Sequence, residues 1–403
     1  MITPLGTTIL EGRMMRKSPV ALIALLALLA PIGAAEAAPE YTVVSVTDVS
    51  GGQASNNGMA AYGPKAYFDM VNAAGGVNGK KINYVSLDTQ TSVSGAVAAF
   101  EKAVGYSPVA ILMGGLSVEA PAAIPTAVKA NIPVLASGGL PDSWVFPPRP
   151  YVYETIPAAY QSAWANGEFI KRLAKEKKIG KPRVAVTSIN SAYGADFVKD
   201  VKELGPKFGY EVVAEEITAL DATDFAGGAA KFAAAKPDFV VAVQVENFAP
   251  IVVGALRANG VKAPFLNFFG GDSPALFAKL NDPDYYAYRM VAFPSDPNLT
   301  QMEQASAKSG VGQYRTKQFF TVSWVEAMLV VDALKRCGVN CTPQQLNEQL
   351  LKTNVSYAPY TFGRVVLSDK RHTLIGYMQP YHQTAKGVEQ APGGPLDVSH
   401  ASP

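Results

Sequence analysis

The sequence predicts an α/β protein of two doubly wound lobes, each with a parallel central sheet, and three observations lead there. Apolar strand-like segments alternate with helical segments of ~10–15 residues along most of the chain, the pattern of a parallel sheet with crossover helices. The cycle of strand, polar loop and helix starts again after a proline-rich interruption, with similar spacing. The length, 403 residues, also exceeds what a single growing core accommodates, so two domains are expected.

In the first lobe, residues 41–47 (YTVVSVT) form the opening strand, followed by the loop DVSGGQASNN and a helix over 58–73. Loops after the carboxyl ends of parallel strands hold ligands in α/β proteins, which makes residues 50–57 a candidate binding loop; a plain Ser/Gly connection is the alternative. The stretch YFDMVNAAGGVNGKKINYVSLDTQ (67–90) contains the end of that helix, a stop at Gly75-Gly76, a turn at Asn78-Gly79 and a strand over 82–87 ending at Asp88. Glycine suits the stop because it alone enters the left-handed region at no steric cost. A helix over 92–105, a strand over 109–113, the loop GGLSVEAP, a helix over 120–130, a strand over 132–136 and the loop SGGLPD follow. The segment WVFPPRPYVY (144–153) breaks the alternation with three prolines and reads as a crossing between lobes.

The second lobe opens with a helix over 160–177 and a strand over 183–188, after which INSAYG leads into a helix over 192–208. Strands over 211–216, 239–243 and 264–268 alternate with helices over 227–235 and 250–259, joined by the loops LDATDF, QVENF and FGGDS. Residues 288–293 read as a return strand into the first lobe. Residues 318–336 form a long helix whose apolar positions give it a wide buried face.

Composition narrows the function. A net charge of +2 gives no basic footprint, so nucleic acid is not expected as a partner. Arg13, Arg16 and Lys17 precede an apolar run over 20–32, and Ala35-Glu36-Ala37 places small residues where a signal peptidase reads them. Cleavage is expected after Ala37, giving a periplasmic protein; a retained membrane anchor is the alternative. The run is shorter than the ~20 residues of a spanning helix. Met14 and Met15 are alternative starts. Cys337 and Cys341, the two cysteines, flank a turn-forming GVN, and an oxidising compartment allows them to form a disulfide; two free thiols are the other reading.

Catalytic and cofactor signatures are missing. No GxGxxG follows the first strand and there is no GxxxxGK[ST], so no dinucleotide or nucleotide phosphate site is signalled. GLSVE is not a GxSxG elbow, and the three histidines have no companions of triad or metal-ligand spacing. Asp88, Asp196 and Asp272, at strand ends, read as loop anchors or helix caps before general bases. No enzyme activity, cofactor or metal is expected.

The string VNAAGGVNGKKI, with Gly58 and Gly63 before it and AVAAFEKAV after it, resembles the exported substrate-binding proteins of ABC importers, in particular the branched-chain amino-acid binding type (type I periplasmic binding proteins). The resemblance continues through IPVLASGG, YVYETIP, SAYGADFVKDVKELG, ATDF, KPDFVVAV and ALRANGVKAPF. It implies two Rossmann-like lobes joined by three crossings, a ligand enclosed between them by hinge closure, and a membrane permease as partner of a monomer. The implied boundaries are 1–37 for the signal peptide, 38–155 plus about 286–355 for the N-terminal lobe, 156–285 plus about 356–390 for the C-terminal lobe, and 391–403 as a loose tail. Carried over by position, the ligand site comprises Asn56, Leu116, Ser117, Glu119, Ser137, Gly138 and Gly139 in the first lobe. The second lobe supplies Tyr193, Glu246, Phe248 and Asp272.

The chain departs from that pattern where ligand class is decided. The loop before the third helix keeps one hydroxyl, Ser117, and the next reads GGLP where relatives carry a threonine. The relatives' carboxylate for the ligand ammonium aligns with Phe248, two positions beyond Glu246. An ammonium enclosed without a carboxylate is costly. Either Glu246 takes that role, or the ligand is an apolar or aromatic carboxylate against Tyr193, Phe248, Phe268 and Phe269; lobe core is the other reading of these aromatics. The expected function is capture of a small carboxylate-bearing ligand, an organic acid or a branched-chain amino acid, for an ABC importer. A ligand sensor signalling to a membrane receptor and a secreted α/β enzyme are the alternatives.

Overall fold

Five parallel strands, β1 (Glu40–Thr47), β2 (Lys81–Asp88), β3 (Ala110–Gly114), β4 (Val134–Ala136) and β5 (Val152–Glu154), form the first sheet in the order β2-β1-β3-β4-β5. A computed structural model describes residues 40–115, 117–219 and 222–403. The expected signal segment and Leu116 lie outside the described residues. Helices α1 (Tyr62–Ala73), α2 (Val93–Gly105), α3 (Ala120–Lys129) and the short α4 (Asp142–Val145) connect the strands. α1 stops as glycine chemistry dictates: Gly75 and Gly76 both take positive φ, and Asn78 and Gly79 make the turn into β2 with positive φ as well.

The second sheet repeats that order. β6 (Arg183–Ile189), β7 (Glu211–Thr218), β8 (Phe239–Val243), β9 (Phe265–Asn267) and β10 (Tyr285–Arg289) run parallel as β7-β6-β8-β9-β10. Helices α5 (Ala159–Lys177), α6 (Ala192–Phe208), α7 (Ala226–Ala235), α8 (Ala249–Ala258) and α9 (Pro274–Leu280) accompany it. Beyond β10 lie α10 (Thr300–Lys308), α11 (Gln318–Cys337), α12 (Pro343–Leu350) and the small pair β11 (Asn354–Ser356) and β12 (Arg364–Val366). β13 (Tyr377–Thr384) then adds antiparallel to β10, followed by β14 (Gly387–Gln390) and β15 (Leu396–Asp397). The second sheet is therefore mixed, where an all-parallel one was expected.

Two segments sit differently from the sequence reading. Residues 285–289 are the fifth strand of the second sheet, so the expected return strand at 288–293 is replaced by a crossing that begins after Arg289. The crossing expected at 144–153 comes later, because Val152–Glu154 pairs with β4. The chain passes between the sheets after β5, after β10 and before β13, where Leu374 and Ile375 N–H donate to the carbonyls of Glu154 and Thr155. α10 and α11 thereby cover α1, beside the first sheet. The last residues, expected to be loose, are fastened: Ala391, Val398 and Ala401 are buried, and Val398 N–H donates to Gly376 O.

Apolar clusters fill both faces of each sheet. One packs α2 and α3 on the first sheet, another packs α7, α8 and α9 on the second, and the largest joins α1, α5, α6 and α11 to the remaining faces. Cys337 and Cys341 form a disulfide at the end of α11, with Cα atoms 5.5 Å apart. The Tyr41 hydroxyl donates to the carbonyls of Gly338 and Val339 and ties that loop to β1. Among the described residues no helix is long and apolar enough to cross a membrane.

Candidate functional site

A pocket with an empty volume of about 580 Å³ opens where the carboxyl ends of the two sheets face each other. In each sheet the strand order reverses beside the first strand, and ligands of open α/β sheets bind at that switch point. The lining follows the rule in both halves. Gln53, Asn56 and Asn57 follow β1, Ser117 and Val118 follow β3, and Ser137, Gly138 and Gly139 follow β4. Opposite them, Ile189, Ser191 and Tyr193 come from the end of β6 and the start of α6. Val243 and Val245 come from β8 and the turn after it, and Phe268 and Phe269 from the turn after β9. Ile156 on a crossing and Phe319 on α11 complete the wall.

Carboxylates behind the first loop hold it in place. Asp48 accepts from Gly51 N at 2.6 Å and Gln53 N at 2.7 Å, and Asp88 accepts from Val49 N at 2.8 Å and Ser50 Oγ at 2.5 Å. Asp88 is thus a loop anchor, as its place at a strand end predicts. A side chain at Gly51 would collide with Asp48, which is why glycine stands there. Asn57 Nδ2 donates to Gly115 O at 3.2 Å, coupling this loop to the one after β3.

The third loop is the polar end of the pocket. The Ser137 amide is used by Met113 O at 2.9 Å, whereas no backbone hydrogen bond among the described residues uses the amides of Gly138 or Gly139. Gly139 has φ +80°, and a Cβ there would stand 2.9 Å from the Tyr193 ring. That ring faces the pocket while its hydroxyl is engaged elsewhere, 2.6 Å from Ser162 Oγ and donating to Pro157 O at 3.1 Å. Tyr193 therefore contributes an aromatic face. Its neighbours are Phe269 and Phe268, with centroids 6.0 and 6.4 Å away.

Of the residues expected at the site, Asn56, Ser117, Ser137, Gly138, Gly139 and Tyr193 line this pocket. Glu119 is buried behind it, with Thr89 Oγ1 donating to Oε1 at 3.5 Å. Three second-lobe expectations lie outside this lining. Phe248 is 6% exposed and packs into the cluster beneath α7 and α8. Asp272 is buried and ion-paired with Arg289. Glu246 lies in an adjoining, more polar cavity of about 680 Å³ that shares Gln53, Asn56 and Val245 with the pocket. There its Oε1 accepts from Lys317 Nζ at 2.8 Å and Ser273 Oγ at 2.6 Å, so its charge is already matched.

Among the described residues no charged side chain lines the pocket, and no group of His, Cys, Asp and Glu could hold a metal ion. Gln53 and Asn57 fall within the expected binding loop 50–57, whereas the sequence reading missed Ser191, Ile156, Phe319 and the valines and isoleucine of the second-lobe strand ends. Ser191 carried a signal, because it caps α6 by accepting from Gly194 N, in the loop already singled out for Tyr193. Phe319 carried none, since in sequence it is one of many apolar positions of α11.

A family described as periplasmic binding protein matches residues 40–387. No curated protein matches significantly. Among solved structures the chain is similar to a fatty acid ABC transporter substrate-binding protein from Thermomonospora curvata, at 19% identity and TM-score 0.72, covering 90% of this chain and 92% of that one. It is similar to a branched chain amino acid ABC transporter from Thermus thermophilus with bound valine, at 16% identity and TM-score 0.78, covering 89% and 97%. It is also similar to a substrate-binding periplasmic protein from Ralstonia solanacearum, at 21% identity and TM-score 0.72, covering 87% and 100%. At these identities the likeness establishes the fold.

Proposed function

This chain belongs to the periplasmic binding protein family, and from that premise we propose that it captures a small carboxylate with an apolar or aromatic body and delivers it to the membrane permease of an ABC importer. The family indicates a solute-binding role outside the cytoplasm. The observation that carries the ligand class is the absence of a charged side chain from the pocket lining among the described residues. An amino acid brings an ammonium as well as a carboxylate, and here the ammonium would be enclosed without a counter-charge. A carboxylate alone is provided for: the amides of Gly138 and Gly139, which no backbone hydrogen bond among the described residues uses, and the Ser117 hydroxyl can donate at one end, beside Ser137, whose hydroxyl donates to Met113 O at 3.3 Å. Phe268, Phe269, Tyr193 and Phe319 offer ring faces to the body. A fatty acid ABC transporter substrate-binding protein and a branched chain amino acid ABC transporter with bound valine both have this fold, so it accommodates either class.

Because both sheets contribute loops, a bound ligand bridges them and favours the closed arrangement that a permease would recognise. A thermal-shift screen of the protein against benzoate, cinnamate, dicarboxylates, short amides and branched-chain amino acids tests the reading. Stabilisation by the monocarboxylates is the expected result. Stabilisation by leucine or valine alone overturns the ligand class, and no saturable response to any of the panel overturns the solute-binding assignment for these chemistries.

A further inference from the structure

Beyond Gln53, Asn56 and Val245 the pocket adjoins the polar chamber of about 680 Å³, and the charge in that chamber is uneven. Its charged side chains are Glu246, Lys279 and Lys317. Glu246 is satisfied twice over, by Lys317 Nζ at 2.8 Å and by Ser273 Oγ at 2.6 Å. Asp272, the next acid along the chain, is buried and paired with Arg289. Lys279, exposed near the end of α9, makes no ion pair or hydrogen bond among the described residues. Two lysines against one glutamate leave one positive charge over. Neutral polar groups stand beside it: the side chains of Gln53, Ser55 and Asn247 line the chamber and make no hydrogen bond among the described residues. Lys317 immediately precedes α11, so the positive end of that helix dipole adds to the excess.

We propose that this chamber is a second subsite, which takes a second anionic group of the ligand, so that the solute is a dianion with an apolar or aromatic body. This rests on the carboxylate-ligand reading above and extends it. Ser117, Ser137, Gly138 and Gly139 line the pocket and not the chamber, so an anion in the chamber is additional to the carboxylate held at the glycine loop. The body between the two groups lies against the shared residues Gln53, Asn56 and Val245. The surplus lysine makes the chamber discriminate by sign. A distal carboxylate or other oxyanion meets Lys279 and the unused amide and hydroxyl donors. A distal ammonium meets Lys279 too, and finds Glu246 already matched. A methyl group gains neither contact. Since Lys279 is exposed to water, the preference is modest and weakens with salt. Gln53 and Ser55 follow β1 while Lys279 belongs to α9 of the second sheet, so the second anion also bridges the two halves.

Titration calorimetry at neutral pH with matched pairs of acids tests the proposal: p-toluate against terephthalate, and p-methylcinnamate against p-carboxycinnamate for a longer reach. Within each pair only the distal group differs, a methyl or a carboxylate. One exposed charge contact is worth up to about fivefold, so with two lysines in the chamber the diacid of at least one pair should bind roughly 3- to 20-fold tighter than its methyl partner at low ionic strength. Added salt should shrink that ratio. Lys279→Gln should bring it close to one, and Lys279→Glu should invert it while p-aminomethylbenzoate gains. Because Lys279 is exposed and makes no contact of its own, both variants keep the core intact. Diacids no tighter than their methyl partners overturn the proposal, as does a ratio that Lys279→Glu leaves unmoved, or a preference of wild type for p-aminomethylbenzoate. If p-toluate or p-methylcinnamate binds and no diacid gains, the second subsite alone falls and the carboxylate reading stands. If none of the acids binds, the carboxylate reading falls and takes this proposal with it.

Discussion

Removing only the ammonium from a branched-chain amino acid tests the pocket most directly. Leucine and isocaproate share a carboxylate and a branched apolar chain, and they differ at the one group for which the pocket lining has no charge. The nearest acids are accounted for. Glu246 is matched by Lys317 at 2.8 Å, and Glu119, Glu326 and Glu154 are buried behind the lining. Enclosing a charge with no partner costs about 3–5 kcal/mol. At 1.36 kcal/mol per tenfold, that corresponds to a preference for isocaproate of roughly 150- to 5,000-fold. Side-by-side titration calorimetry at pH 7 measures the ratio. Equal affinities, or tighter leucine binding, would refute the reasoning and return Glu246 to the ligand, which Glu246→Gln would confirm by abolishing leucine binding.

Phe269→Ala removes a pocket ring, and weakening of cinnamate binding by about 2- to 12-fold is expected from the loss of one aromatic contact. Phe248→Ala should instead lower unfolding stability by about 3–5 kcal/mol in urea melts, with the affinity of the folded fraction unchanged, because that ring lies in the core beneath α8. Gly139→Ala forces a left-handed alanine against the Tyr193 ring, so a loss of about 1–2 kcal/mol in stability and a weaker benzoate complex are expected; unaltered melts would count against the strained turn. Asp142, raised by burial to about 8 from an unfolded value near 4, holds its proton in the folded state across that interval. Its contribution to stability is therefore full below pH ~4 and falls as pH rises towards 8, so Asp142→Asn should gain at least about 1 kcal/mol on wild type between pH 5 and pH 8. Parallel stability curves for the two proteins would argue against it.

The doubled sheet was readable because strand, loop and helix alternate with their own turn chemistry, as at Gly75-Gly76 and Asn78-Gly79. What the sequence left open was where strands end at a crossing. The run YYAYRMVAF is apolar and aromatic on both sides of Arg289, so its apolar pattern alone does not mark that pairing stops there. Loop positions were equally readable at the site, since strand ends converge by topology. Side-chain direction was not. Phe248 immediately precedes α8 and turns into the core, whereas Phe268 and Phe269, in an undistinguished turn, reach the pocket. Spacing along the chain does not encode that difference.

The three passages between the sheets also govern the order in which the protein can be completed as it is made. The first sheet is finished by Glu154, yet the helices that cover α1 beside it, α10 and α11, begin only at Thr300 and Gln318. The second sheet waits even longer, since β13, which covers the edge of β10, starts at Tyr377. An emerging chain therefore exposes unfinished apolar surface on both halves until its final quarter appears. Neither half has all of its covering elements until that last stretch is present.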